Sequence, residues 1–150
     1  MPVDVETTVE IALPRAQVAA FATDPDNATV WYANITEVSW RTAPPLAVGT
    51  EVDFVARFLG RTLAYTYEVV ELRAGERFVM RTAQGPFPME TTYAWTDTAD
   101  GGTRMTLRNR GEPTGFGHVA GPLMALAVRR ANRKDLALLK AVLEGPLGDR

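Results

Sequence analysis

Cysteine is absent from this 150-residue chain, and histidine occurs once, as His118. The lack of cysteine excludes disulfides, thiolate metal sites, iron–sulfur clusters and a cysteine nucleophile. A single histidine excludes multi-histidine metal sites and leaves one side chain whose ordinary pKa lies near neutrality. The only serine, Ser39, falls in a predicted strand without the glycines of a nucleophile elbow, which argues against a serine triad. Most familiar nucleophilic and metal-based chemistry is therefore excluded.

Long apolar runs are absent too. No segment approaches the roughly 20 apolar residues that a membrane helix needs. The N-terminal residues show no basic region followed by an apolar stretch, as a secretory signal would. With 46% hydrophobic and 23% charged residues, the composition is typical of one globular domain. We expect a single soluble domain over residues 1–150, in the cytoplasm and without an integral membrane segment.

The formal net charge of −2 averages two unlike regions. Residues 104–140 carry eight arginine and lysine side chains against two acidic ones, and the preceding region is acidic overall. This asymmetry can mark an acidic partner. We favour a basic helix face that is solvated and partly paired with carboxylates of the sheet. An overall pI near 5.4 argues against nucleic acid as the partner.

Alternation of apolar and polar residues predicts most of the chain as strands. Residues 3–11 form the first strand, and two short helices follow between Pro14 and Tyr32. The remaining strands are separated by short turns rich in glycine and proline, which requires antiparallel neighbours. We place them near residues 35–42, 50–59, 62–73, 76–83, 88–97 and 103–111.

The last element is a long amphipathic helix over residues 119–144. Its apolar stripe recurs at three- and four-residue steps, and Gly145-Pro146 ends it. A single antiparallel sheet cannot bury its own apolar face, so this helix must cover it. The predicted fold class is α+β: a curved seven-stranded antiparallel sheet wrapped around a long C-terminal helix, in the order β-α-α-β6-α.

Several segments resemble a known superfamily, namely residues 9–14, 21–25, Trp31, residues 102–107 and 136–140. They are similar to the START-related helix-grip superfamily (SRPBCC), and more narrowly to its polyketide cyclase/dehydrase and lipid-transport-like members. The resemblance covers nearly the whole chain and implies the helix-grip fold. It also implies a hydrophobic ligand held between sheet and helix, because members of this superfamily commonly bind one there.

The inward face of the predicted sheet mixes aromatic, aliphatic and polar side chains. That mixture is typical of small-molecule pockets, although a filled core could satisfy the same groups internally. Composition leaves the two alternatives even, and the resemblance favours a cavity. The candidate apolar wall comprises Trp31, Phe54, Phe58, Phe78, Met80, Trp95, Leu107, Phe116 and Met124. The candidate polar groups are Tyr65, Tyr67, Tyr93 and Asn109.

Residues 115–120 match the pattern G-x-G-x-x-G/A. A dinucleotide site would need a following parallel strand, and none is predicted, so we interpret these glycines as a hinge into the last helix. His118 lies in this hinge. It could close the cavity and move a proton, but we favour a solvent-exposed loop residue because no partner is evident.

Three functions remain open. The first is binding of a small hydrophobic or aromatic molecule, such as a lipid, polyketide-like or isoprenoid compound. The second is a polyketide cyclase or aromatase type of enzyme acting in the same cavity; the absence of an evident acid/base pair in the predicted interior counts against it. The third is a protein-interaction module that uses the basic helix face. We assign no catalytic residue, expect neither metal nor cofactor, and leave a homodimer possible.

Overall fold

The computed structural model describes residues 3–114 and 121–145. The elements follow the predicted order, with strand ends within two residues of the predicted ones. They are β1 (Val3–Ile11), α1 (Arg15–Thr23), a 3₁₀ turn (Pro25–Asn27), α2 (Ala28–Trp31), β2 (Ile35–Trp40), β3 (Glu51–Phe58), β4 (Arg61–Arg73), β5 (Arg77–Gln84), β6 (Met89–Asp97), β7 (Thr103–Gly111) and α3 (Gly121–Glu144).

The seven strands form one antiparallel sheet in the order β1-β7-β6-β5-β4-β3-β2. Consecutive strands pair from β2 to β7, and β1 returns to pair with β7 from Val3 opposite Gly111 to Ile11 opposite Thr103. The register of β4 against β5 shifts at two places, between Thr66 and Tyr67 and between Val69 and Glu71. Such irregularities bend a strand, and they help the sheet to curve around α3. The predicted α+β helix-grip fold is confirmed.

Helix α3 lies against the concave face of the sheet with its apolar stripe inward. At 1.5 Å per residue its 24 residues span about 36 Å. Leu136, Leu139 and Leu143 join the main core, whereas Met124 and Val128 pack with β1 in a second apolar cluster. Among the described residues, no helix combines the length and apolarity needed to cross a membrane.

The convex face of the sheet carries arginine and carboxylate side chains, most of which neutralise one another in pairs. Arg108 donates to both carboxylate oxygens of Asp4, at 2.8 and 2.6 Å. Similar pairs join Arg104 to Glu10 and Arg110 to Glu90, each at 3.0 Å. Because side chains alternate between the two faces of a strand, these pairs leave the concave face to apolar and aromatic residues.

The predicted pairing of the basic helix face with sheet carboxylates is wrong. Within residues 3–114 and 121–145, no salt bridge joins Arg129, Arg130, Arg133 or Lys134 to a carboxylate. The reason is geometric, since most of the paired carboxylates project from the convex face and α3 covers the concave one. Among the basic residues of α3, Lys140 alone forms an ion pair with another described residue, Glu144, at 2.8 Å.

Candidate ligand-binding site

A cavity of about 160 Å³ lies between the concave sheet face, α3 and the α1–α2 segment. An engineered protein cavity of about 150 Å³ binds benzene, so this space suits a ligand of at least one ring. Most of its wall is apolar. The large apolar side chains that line it are Phe54, Phe58, Leu63, Phe78, Met80 and Met89.

Aromatic rings from adjacent strands form one continuous wall of the cavity. Phe54 on β3 lies opposite Tyr65 on β4, and their ring centroids are 5.7 Å apart in a stacked arrangement. Tyr67, two residues further along β4, has its ring centroid 5.0 Å from that of Tyr65. The two-residue period of the strand therefore directs both tyrosines inward, and the wall they form suits a flat ligand.

Two tyrosine hydroxyls meet across the cavity. Tyr32 follows α2, Tyr93 lies on β6, and their hydroxyl groups form a hydrogen bond. Trp31 packs behind this pair, with its ring centroid 4.1 Å from that of Tyr32. Burial raises the pKa of Tyr32 and of Tyr93 well above the usual value for a phenol. Both side chains are therefore neutral at physiological pH, where they donate and accept hydrogen bonds.

A second polar group runs from the sheet to α3, and we refer to it as the hydrogen-bond chain. The hydroxyls of Tyr67 and Thr91 lie 3.1 Å apart, and Thr91 donates to Asn109 Oδ1 at 2.6 Å. Asn109 Nδ2 in turn donates to Asn132 Oδ1 at 2.9 Å. Burial raises the pKa of Tyr67 to about 12, so its hydroxyl also stays neutral. All four side chains line the cavity.

Asp135 places a carboxyl group in the cavity wall, one turn along α3 from Asn132. The residue is only 4% exposed, and its Oδ1 accepts a hydrogen bond from the backbone N–H of Ala33 at 2.9 Å. Burial raises the pKa of Asp135 to about 7, although the bond from Ala33 and the charge of Lys134 act in the opposite direction. Near neutral pH the carboxyl can therefore accept or donate a proton.

Metal ligands are not grouped at this site. Within residues 3–114 and 121–145, no cluster of three or more histidine, cysteine, aspartate or glutamate side chains could hold a metal ion. The chemistry that the described wall offers is hydrogen bonding by neutral hydroxyls and amides, together with proton exchange at the carboxyl group of Asp135. The carboxyl group of Asp24 also lines the cavity.

A family model described as polyketide cyclase / dehydrase and lipid transport matches residues 2–144 of the 150 in the chain. The chain belongs to this family. The resemblance inferred from the sequence segments is thereby confirmed. No curated protein matched the chain by sequence.

Solved structures of the same fold come from several bacteria. A START superfamily protein from Mycobacterium smegmatis has a TM-score of 0.80 at 14% identity, over 92% of this chain and 94% of that one. A protein from Thermus thermophilus has a TM-score of 0.77 at 20% identity, over 93% and 94%. The Zhui aromatase/cyclase from a Streptomyces species has a TM-score of 0.74 at 16% identity, over 94% and 93%. At these identities the similarity establishes the fold of this family member and not its ligand.

The structure brings most of the sequence-predicted wall residues together. Those that line the cavity are Phe54, Phe58, Tyr65, Tyr67, Phe78, Met80, Tyr93 and Asn109. Trp31, Trp95 and Leu107 are buried in the main core but do not line the cavity. Met124 packs with Val3 and Val5 in the second cluster and does not line the cavity. Phe116 and His118, with the predictions made for them, lie outside the described residues.

The polar wall residues that were not among the sequence-predicted site residues are Thr23, Asp24, Tyr32, Asn34, Thr82, Thr91, Asn132 and Asp135. For two of them, Asn132 and Asp135, the helical spacing of the sequence provides a signal. Asn132 lies on the predicted apolar stripe of α3, and Asp135 follows it by three residues, a spacing that places the two side chains on the same side of the helix. Tyr32 offers no such signal, because it follows a helix of only four residues in which no periodicity can develop.

Proposed function

We propose that this protein binds a small, largely hydrophobic or aromatic molecule in the cavity between the sheet and α3. The observation that carries the proposal is the cavity itself: an apolar, aromatic wall into which a few buried polar groups converge. Ligand sites have this make-up, because apolar contact supplies affinity and a few polar groups fix orientation. Membership of a family whose description includes lipid transport supports the same function.

A cavity-filling substitution tests this function. Ala131 lines the cavity from α3, whereas Ala137 is exposed on the same helix. We expect Ala131→Phe to occupy the cavity and abolish binding of apolar ligands, and Ala137→Phe to leave it unchanged. Native mass spectrometry and thermal shift with a panel of aromatic and lipid compounds provide the measurement. A ligand at 100 times its Kd should stabilise the unmodified protein by about 2.7 kcal/mol.

The outcomes separate clearly. Binding by the unmodified protein and by Ala137→Phe, with loss in Ala131→Phe, supports the cavity as the site. Equal binding by all three would place the ligand elsewhere. If no member of a chemically broad panel binds the unmodified protein, the proposed function fails.

We propose as a second candidate an enzyme of the cyclase type acting in the same cavity, because one structural observation favours it. The carboxyl group of Asp135 has a pKa of about 7 and lies in the wall of an apolar cavity, which neutral tyrosine hydroxyls also line. Such a carboxylate could remove the proton next to a ligand carbonyl, and a tyrosine could protonate the oxygen that gains charge during ring closure. One structural neighbour is an aromatase/cyclase, which agrees with this chemistry without assigning it here.

The enzyme candidate predicts that Asp135→Asn abolishes ring closure of a linear poly-β-ketone probe while ligand binding persists. Asparagine keeps the oxygen that accepts from Ala33 and removes the titrating proton. Glu144→Gln, which alters a carboxyl group of α3 that does not line the cavity, is the matched control. Turnover that survives in Asp135→Asn would remove this residue from the mechanism.

A further inference from the structure

The side-chain amide of Asn132 is a buried donor without an acceptor. Asn132 is 3% exposed and lines the cavity from α3. Its Oδ1 accepts from Asn109, but its Nδ2 has no hydrogen-bond partner among the described residues. A buried donor left unpaired costs free energy, so this group has a strong preference for an acceptor brought into the cavity.

In the orientation that the structure shows, the hydrogen-bond chain leaves the amide nitrogen of Asn132 unpaired among the described residues. Thr91 has one hydroxyl proton and gives it to Asn109 Oδ1, so the hydroxyl of Tyr67 must donate to Thr91. Asn109 directs its Nδ2 to Asn132 Oδ1 at 2.9 Å. Rotating the Asn132 amide alone would set two NH₂ groups against each other. With Asn109 in this orientation, the chain runs from Tyr67 to Asn132 and ends in a donor.

Several other polar groups of the cavity wall already have partners within the protein. The hydroxyls of Tyr32 and Tyr93 bond to each other, and Asp135 accepts from Ala33. Thr82, another wall residue, donates to the carbonyl of Met89 and accepts from its N–H, each at 3.0 Å. One hydroxyl proton of the Tyr32–Tyr93 pair is not used in their mutual bond. Asn132 differs from these groups in that the hydrogen-bond chain engages its carbonyl and leaves its Nδ2 without an acceptor among the described residues.

We propose that Asn132 is a specificity-determining residue, and that its Nδ2 donates a hydrogen bond to a carbonyl oxygen of the ligand. This inference rests on the proposed binding function and adds a chemical class to it. The preferred ligand is an aromatic or polycyclic ketone or quinone, not a plain hydrocarbon. A carbonyl oxygen fits because it accepts a hydrogen bond and brings no donor that would oppose the amide.

Matched ligand pairs test the proposal. Acetophenone and ethylbenzene, 1-indanone and indane, and 1-tetralone and tetralin are pairs of one skeleton in which a ketone replaces a methylene group. Isothermal titration calorimetry gives the ratio of the two Kd values for each pair. We expect Asn132→Leu to shift this ratio toward the hydrocarbon by about three- to tenfold, the range of one hydrogen bond. Thr106→Val, at a residue that does not line the cavity, is the control and should leave the ratio unchanged.

A second measurement uses the unmodified protein and so does not depend on the folding of Asn132→Leu. In a protein carrying ¹⁵N-labelled asparagine, the side-chain NH₂ protons of Asn132 should move downfield on addition of 1-indanone and not of indane. Suppose that both probes bind, that neither moves these protons downfield, and that the Kd ratio is the same in Asn132→Leu as in the unmodified protein. The role of Asn132 is then overturned, and the binding function stands. If the unmodified protein binds neither member of any pair, the binding function itself fails, and this inference with it.

Discussion

Asp135 connects the stability of this protein to pH through a single buried carboxyl group. Its pKa is about 7 in the folded chain against an ordinary value of 3.8, so the folded state favours the protonated form. The Asp135 carboxyl group therefore makes its full contribution to the stability of the fold below about pH 4. That contribution is lost progressively as pH rises to about 7 and stays lost above it.

We predict that Asp135→Asn is more stable than the unmodified protein at pH 8, by up to about 4 kcal/mol, since each pKa unit corresponds to about 1.36 kcal/mol. The difference should shrink toward zero at pH 4. Urea unfolding at intervals between pH 4 and pH 8 measures it. His118 and the remaining carboxylates are common to both proteins and cancel in the comparison, so parallel pH profiles would contradict the raised pKa.

Helix α3 both covers the sheet and lines the cavity with the same face. Leu139 has no exposed surface and lies in the main core, whereas Leu126 on the same helix is 55% exposed. Substitutions at these two positions therefore distinguish the buried face of the helix, which forms the core, from its solvent-facing side.

We predict that Leu139→Ala lowers the free energy of unfolding by about 2–5 kcal/mol, because it removes buried apolar area and leaves a cavity. The matched change Leu126→Ala should stay within about 0.5 kcal/mol of the unmodified protein. Urea unfolding of the three proteins provides the measurement. Equal losses at the two positions would mean that the exposed face of α3 is packed in solution.

The elements could be predicted from the sequence because each has two chemically different faces. Arg104, Met105 and Thr106 alternate outward and inward along β7, and the leucines of α3 repeat at helical spacing, so both periodicities are readable. Periodicity reports which way a side chain points but not what it meets. The bond between Ala33 and Asp135 joins positions 102 residues apart, and no local pattern specifies it. The same limit explains the wrong pairing assigned to Arg129, whose exposure was predictable and whose missing partner was not.

Across the whole molecule, charge is compensated on one surface and uncompensated on another. The convex sheet face carries arginine–carboxylate pairs such as Arg108 with Asp4, and the basic face of α3 (Arg129, Arg130, Arg133 and Lys134) has no ion pair within the described residues. Exposed pairs contribute about 0–1 kcal/mol each. The basic face is therefore free to act in association without a cost in folding.

We predict that changing all four residues of this basic face to glutamine leaves the free energy of unfolding within about 1 kcal/mol. Changing Arg104, Arg108 and Arg110 to glutamine should cost more, because Glu10 and Asp4 lose these ion pairs and Glu90 keeps only its pair with Arg81 at 3.7 Å. Urea unfolding compares the two sets, and sedimentation velocity at low and high salt tests the possible homodimer. A large loss of stability in the first set would show that these side chains have partners within the fold.

The position of Trp31 makes its intrinsic fluorescence a reporter of the cavity. Trp31 has no exposed surface and packs on Tyr32, which lines the cavity. A ligand that displaces Tyr32 or absorbs near the emission of indole would change the fluorescence of Trp31, so occupancy can be followed without a dye. Of the three tryptophans, Trp95 is also buried and packs on Tyr93 of the cavity wall, so replacing Trp40 and Trp95 with phenylalanine would isolate the signal of Trp31.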